Sequence, residues 1–338
     1  MFEQKCAVFE YKGKLIRFEW TESKATWRAR TVYLIEYFLN NHAIIKNNPK
    51  DSVDLTITND IYYIPSENSS KKSILNNTDG NYVARRDEKL LKKLYVNYYK
   101  SKKLLKRYKQ FSAIVVSSKE QQFFTSVYCP DCYVIPDSSF YHTRFNPSLK
   151  PRLTQELVFT WDGQGHNYTY IHKFILNNYK FFSSPMVRLQ IITDELDLYG
   201  NSNRQRLNSL NINAEFITWS ENNFIEFTNA AHVGLAIVDT KCKNARSKPE
   251  NKLVNYSGLG LFTLCSNIRS YNEFLVKWPQ AGSIINENNS LITLSNLKKN
   301  ILNHHQQLRS IRETIINSYD SQILLTQWLQ IIEKTLFS

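Results

Sequence analysis

Apolar positions along this chain fall into two textures, and each predicts a different element. Residues 6–11 and 14–18 are short apolar runs separated by Gly13, which suits a hairpin turn. A polar loop, 20–24, follows. A helix is predicted from about 25 to 40, where Val32, Tyr33, Ile35, Tyr37 and Phe38 give a broad apolar side. Residues 53–57 and 61–64 are again strand-like, whereas 66–81 is rich in Ser, Asn, Lys and Asp and predicts a mobile loop. Residues 111–116 read as a buried strand, and 117–125 open another helix. Beyond a polar, proline-bearing stretch at 138–155, strands are expected at 157–161, 187–193, 214–219 and 232–239. Helices are expected at 168–176 and 221–230 between them. The tail, 294–337, is helical, with Ile323, Leu324, Trp328, Ile331, Ile332 and Leu336 on one side. Strands alternating with helices predict an α/β architecture whose ligands lie at the carboxyl ends of the strands.

Residues 247–267 concentrate the chemistry. Ser247 and Glu250 have capping-box spacing, Pro249 suits a first helical turn, and Gly260 suits a left-handed stop before an apolar run at 261–265. Arg246, Lys248 and Lys252 surround the predicted helix start. Cations beside free backbone N–H groups make an anion site, and phosphate is the usual anion. The alternative is an ordinary capped helix. Between the strand at 157–161 and the next helix lies Asp162-Gly163-Gln164-Gly165-His166-Asn167. Two glycines so spaced let backbone N–H groups approach a diphosphate; the alternative is a tight turn.

The charge sharpens this picture. The 338 residues carry a formal net charge of +13, which points to anionic partners: nucleotide, nucleic acid, phospholipid or a phosphorylated carrier. Much of the excess sits at 87–109, where Leu91, Leu94, Tyr95, Tyr98, Leu105 and Tyr108 form a helical stripe. Lys92, Lys93, Lys100, Lys102, Lys103, Lys106 and Arg107 surround it. Such a helix either docks on anionic lipid headgroups or faces the core with a solvated basic side. No recognised nucleic-acid module appears, which argues against that class of partner although the Tyr/Lys mixing would suit it.

No run of about 18 apolar residues occurs, and the first fifteen residues lack an apolar signal core. A cytoplasmic location is the expectation, with a peripheral place at the inner face of a membrane if the basic helix docks there. Five cysteines fit a reducing compartment. Cys129-Pro-Asp-Cys132 has no second pair to complete a zinc site, and Asp194 with Asp197 reads as a solvated turn. His304 and His305 point about 100° apart on a helix, a poor metal pair.

The stretch at 247–267 resembles the donor-binding segment of nucleotide-sugar glycosyltransferases of the GT-B type, close to the family 1 and 4 enzymes of bacterial surface polysaccharides. Ser247, Lys248, Lys252, Tyr256, Leu259, Gly260 and Ser266 fit the pattern. Asn255 stands where the family has a ribose-binding glutamate, and Phe262 where it has proline. Residues 133–137, 157–165 and 216–239 fit the family's element order.

The resemblance implies two Rossmann-like domains facing a cleft. An acceptor-side domain would span 1–150, a donor-binding domain 151–315, and a helix at 316–338 would cross back to the first. It implies a nucleotide-sugar donor held by Gly163, Gln164, Gly165, Arg246, Ser247, Lys248, Lys252, Asn255 and Tyr256. The acceptor would be a glycan or lipid-linked hydroxyl, and no metal or other cofactor is expected. An inverting member would draw its base from the first domain, where Glu22, Asp137 and His42 are candidates; a retaining member needs no obvious base. A non-catalytic GT-B-like scaffold is the alternative that Asn255 keeps open, beside a nucleic-acid-binding protein.

Overall fold

A computed structural model describes residues 4–21, 32–45, 52–59, 70–77, 106–139, 141–149, 156–197, 199–286 and 290–338. The chain divides into two compact units. The first comprises Met1–Ser138, Cys242–Pro249 and Tyr319–Ser338; the second comprises Ser139–Lys241 and Glu250–Ser318.

In the first unit, β1 (Gln4–Tyr11) and β2 (Lys14–Thr21) form an antiparallel hairpin. Lys12 and Gly13 both turn it with positive φ, 50° and 73°. The remaining strands add in parallel and in chain order: β3 (Val53–Thr58), β4 (Ser70–Asn76), β5 (Ala113–Val116) and β6 (Cys132–Val134). The predicted loop at 66–81 is therefore wrong over Ser70–Asn76, which is an interior strand. Its polar letters hid that Ile74 and Leu75 are buried and that Ser73 and Asn76 lie inside with them. In a parallel sheet covered on both faces, backbone pairing holds a strand whose composition reads as a loop. The helix Val32–Asn41 and the helix Ser321–Phe337 pack on this sheet. Leu324, Trp328, Ile331 and Ile332 share one core with Phe9, Phe18, Phe38 and Ile57.

The second unit holds six parallel strands: β7 (Leu157–Gly163), β8 (Val187–Thr193), β9 (Ala214–Thr218), β10 (Val233–Ala236), β11 (Phe262–Cys265) and β12 (Gly282–Ile284). Their order is β12-β11-β10-β7-β8-β9. The winding runs outward from β7 through β8 and β9, then returns to β10 and runs outward the other way. The switch point lies between β7 and β10. The β7 strand buries its first five residues in succession, as expected for a strand covered on both faces. Helices Tyr168–Asn177 and Glu221–Asn229 lie where the apolar periodicity puts them. Helices Asn203–Asn208 and Arg269–Lys277 lie outside the predicted elements, although Tyr271, Phe274 and Leu275 give the second an apolar side at helical spacing.

The helix at the heart of the sequence argument spans Asn251–Gly258. The capping box is not formed. Glu250 occupies the N-cap and makes no side-chain cap bond, while Ser247 is buried with its carbonyl accepting from Ser118 Oγ at 2.9 Å. The helix stop is as expected. Gly260 takes φ of 71°, and a side chain there would run into the Phe145 ring.

Candidate functional site

An open parallel sheet binds ligands outside the carboxyl ends of its strands where the winding reverses. In the second unit that point is the end of β7, where Trp161 and Asp162 meet Lys252 and Tyr256 of the helix Asn251–Gly258.

Tyr256 fixes the geometry. Its ring lies flat on Gly234 of β10, where any side chain would collide with it. Its hydroxyl donates to Asp162 Oδ1 at 2.5 Å and accepts from the Asp162 backbone N–H at 3.2 Å. Burial first, and then the Asp162 carboxylate, push the phenol well above its ordinary pKa, so Tyr256 remains a donor. One turn away, Lys252 donates from Nζ to the Asp162 carbonyl oxygen and lies 3.5 Å from Asp162 Oδ1. The same ammonium sits over the Trp161 ring, 5.0 Å from its centroid. At that separation and an effective dielectric near 20, the ion pair is worth about 5 kcal/mol before desolvation. An incoming phosphate must therefore draw Lys252 from Asp162 rather than simply add to it.

Asn255, three residues after Lys252, has a buried Oδ1 with no hydrogen-bond partner among the described residues. A buried acceptor left unmade costs about 1–3 kcal/mol, which a ligand hydroxyl would recover.

The glycine-bearing loop is held by side chains. Gly163 belongs to the strand, and its carbonyl accepts from Thr193 Oγ1 at 2.7 Å. The Gly165 N–H donates to Asp194 Oδ2 at 2.9 Å, so that donor is already engaged. Asn203 donates from Nδ2 to both Gly165 O and Asp194 O at 3.1 Å. A side chain at Gly165 would strike the Leu196 carbonyl. Gln164, between the glycines, is exposed. Asp194, expected as a solvated turn residue, is thus the anchor of the loop. Ser266 also has a structural use: its Oγ accepts from Val238 N at 2.9 Å and bonds Val238 O at 3.0 Å, tying β11 to the segment after β10.

The other predicted residues are placed as follows. Arg246, Ser247 and Lys248 belong to the first unit, so the nine donor-site candidates divide between the units. Gly163, Gln164, Gly165, Lys252, Asn255 and Tyr256 belong to the second. Asp137 is buried in the first unit, just beyond β6. His42 is packed among Tyr11, Tyr37 and Phe38, with ring centroids 5.0–5.8 Å away. Glu22 and Lys92, Lys93, Lys100, Lys102 and Lys103 lie outside the described residues. At the described end of the basic stretch, Lys106 is exposed and Arg107 half-buried. Tyr108 is buried, its hydroxyl accepting from Asn77 Nδ2 at 2.8 Å.

Burial pushes the Cys129 thiol up to about 11 and that of Cys132 up to about 12, so both remain protonated at neutral pH. Among the described residues no cluster of three His, Cys, Asp or Glu could hold a metal ion. No described helix is long and apolar enough to cross a membrane.

Sequence reasoning missed Trp161, Asp162, Thr193, Asp194, Asn203 and Gly234. Only Gly234 left a signal, as a glycine inside an apolar strand, which marks a close approach of another group.

Compared with known proteins, the chain matches no family model and no curated sequence. Solved structures do match its fold. TarM superposes with a TM-score of 0.62 at 13% identity, over 90% of this chain and 58% of its own. The pneumococcal O-GlcNAc transferase GtfA, solved with UDP and GlcNAc, gives 0.57 at 14% identity, over 98% and 63%. WaaG, a glycosyltransferase involved in lipopolysaccharide biosynthesis, gives 0.55 at 12% identity, over 77% and 78%. The chain thus spans less than two thirds of the length of TarM and GtfA. At these identities the likeness is one of fold: two Rossmann-like domains of the GT-B class.

Proposed function

We propose that this protein is a nucleotide-sugar-dependent glycosyltransferase whose donor diphosphate is held at the switch point of the second unit. The observation that carries the reading is Lys252. It is the cation posted at the carboxyl end of β7, seated on Trp161, with the unpartnered Asn255 oxygen on the same helix face. The GT-B fold, found in GtfA with UDP, supports the choice of nucleotide.

Glycosyl transfer needs a neutralised leaving diphosphate and an acceptor hydroxyl in line. Lys252 would supply neutralisation as it moves from Asp162 to the phosphates. Asn255 would accept from a ribose hydroxyl, a weaker bond than a carboxylate would make. Tyr256 would keep Asp162 in place while the lysine is drawn away. The acceptor in this reading is a glycan or lipid-linked hydroxyl. Where the basic stretch at 87–109 meets anionic lipid, the enzyme would work at the inner face of a membrane.

The experiment is a thermal-shift and calorimetric panel of UDP, GDP, CMP and dTDP sugars, followed by product analysis. A donor should raise the melting temperature with the logarithm of its concentration. Lys252→Ala should weaken binding of that donor at least tenfold, about 1.4 kcal/mol. Unchanged binding would remove Lys252 from the site. Binding without any transfer, across a panel of acceptors, would make the protein a non-catalytic scaffold.

A further inference from the structure

The second unit contains a cavity of about 540 Å³ between the β11–β12 edge of its sheet and the helix Ser290–Ser318. It is separate from the site already described. That site lies beyond the carboxyl end of β7, whereas this cavity takes in Phe262 and Gly282, the first residues of β11 and β12. Register places Phe262 and Phe159 both level with Val233, so Phe262 lies three residues short of Asp162 along the parallel sheet. At about 3.3 Å per residue this sets it roughly 10 Å back from the switch point, and two strands further toward the edge.

The lining is unusual for this chain. Among the described residues that line it, none is Lys, Arg, Asp or Glu, although the sequence holds 43 basic and 30 acidic residues. A phosphate or carboxylate would find no cation there. Gln280, Thr293, Asn296 and Gln307 instead bring amide and hydroxyl groups, which donate and accept alike. A lipid chain would leave these groups dry and unpaired. His304 stacks on Phe262, centroids 4.2 Å apart and planes within 24°, and is the more exposed member of the pair. Burial lowers the pKa of its imidazole, which keeps the ring neutral.

Matched donors and acceptors beside the half-buried His304 ring, which is backed by the buried Phe262, suit one chemical class: a neutral sugar, whose hydroxyls bond the amides while its C–H face covers the imidazole. The volume falls within the range of small-molecule sites. We infer that this cavity is a second carbohydrate site, binding a neutral mono- or disaccharide away from the switch point. The inference does not rest on the donor-site reading.

The test is saturation-transfer NMR on the whole chain with methyl α-glucoside and N-acetylglucosamine, with and without saturating UDP. The sugar should receive saturation in both conditions and at both low and high salt, because no ion pair is involved. The double variant Asn296→Ala, Gln307→Ala should weaken binding at least tenfold, as expected for the loss of one or two hydrogen bonds. Both amides are exposed on the helix, so melting temperature should stay unchanged, and it is measured alongside. In that variant, UDP affinity should equal that of the unaltered chain. The inference fails if neither sugar receives saturation or if UDP abolishes the signal. Displacement by inorganic phosphate, or a signal that survives in a folded double variant, would overturn it equally.

Discussion

Among the described residues the two sheets have the same strand count and opposite logic. In the first unit the described strands follow chain order from β1 to β6, so the winding never reverses. In the second, β7 and β10 are neighbours although two strands intervene between them in the chain. Reversal leaves a crevice outside two adjacent carboxyl ends, because the connections leaving them go to opposite sides. The side chains follow this difference. The end of β7 gathers Asp162, Lys252 and Tyr256. The first sheet invests in packing: Trp328 and its neighbours cover it with a helix drawn from the far end of the chain.

The comparison can be broken most forcefully at Trp328. It is fully buried in the first unit's core, so Trp328→Ala should cost about 3–5 kcal/mol there. Hydrogen exchange should rise in β1–β3 while the second sheet keeps its protection. Equal loss in both sheets would mean that the two cores do not behave as separate units.

Gly234→Ala is the counterpart in the second unit. The added methyl drives into the Tyr256 ring, and overpacking of this kind costs about 1–3 kcal/mol. Tyr256 must tilt away from Asp162, so nucleotide binding should fall together with the melting temperature. A stable variant with normal binding would show that Tyr256 does not position the site.

Asn255→Glu sharpens the reading of the crevice. A carboxylate in place of the amide should gain about 1–2 kcal/mol toward a ribose, several-fold in affinity measured by calorimetry. Abolished binding would mean a pocket fitted to a different donor, and no change would mean that residue 255 does not face the nucleotide.

The smallest effect concerns acid. Lys12 first, and then Tyr11, hold Glu333 below the usual carboxylate range by hydrogen bonding; Lys334 and then Tyr133 do the same for Asp131. Both carboxylates have folded-state pKa values below their unfolded ones. Their contribution is therefore complete above the ordinary carboxylate pKa and is lost as pH falls through the lowered value. Exchange in the helix Ser321–Phe337 should rise modestly under acid, ahead of that in Tyr168–Asn177. The reverse order would assign the helix's attachment to apolar packing alone.

What was legible in the sequence divides along similar lines. Strand β7 announced itself, because a strand covered on both faces reads as a nearly continuous apolar run. Tyr256 came only with the family resemblance, whereas Gly260 could be read from spacing, since a helix's left-handed stop is a local matter, and Lys252 from its place at the predicted helix start. Ser70–Asn76 could not, because its place is set by partners on either side and not by its own letters. The capping box failed for a related reason. Ser247 has the spacing to cap, but the helix starts at Asn251 with Glu250 as its N-cap, while Ser118, about 130 residues earlier, bonds the Ser247 carbonyl within the first unit. Nor could Asp162 be anticipated as the partner of both Lys252 and Tyr256, which lie some 90 residues along the chain.

Synthesis adds a consequence of the way the first unit is assembled. Its six strands emerge within the first 138 residues, yet the helix bearing Trp328 follows only after roughly 180 more. At about 5–20 residues per second, ribosomal synthesis leaves that apolar face without its helix for on the order of 10–40 s. The second unit's sheet, by contrast, draws all its strands from one uninterrupted period of synthesis between β7 and β12. The nascent chain thus spends its most aggregation-prone interval with the first sheet exposed. A chaperone acting on this protein should find its footing on the surface that Leu324, Trp328 and Ile332 later cover.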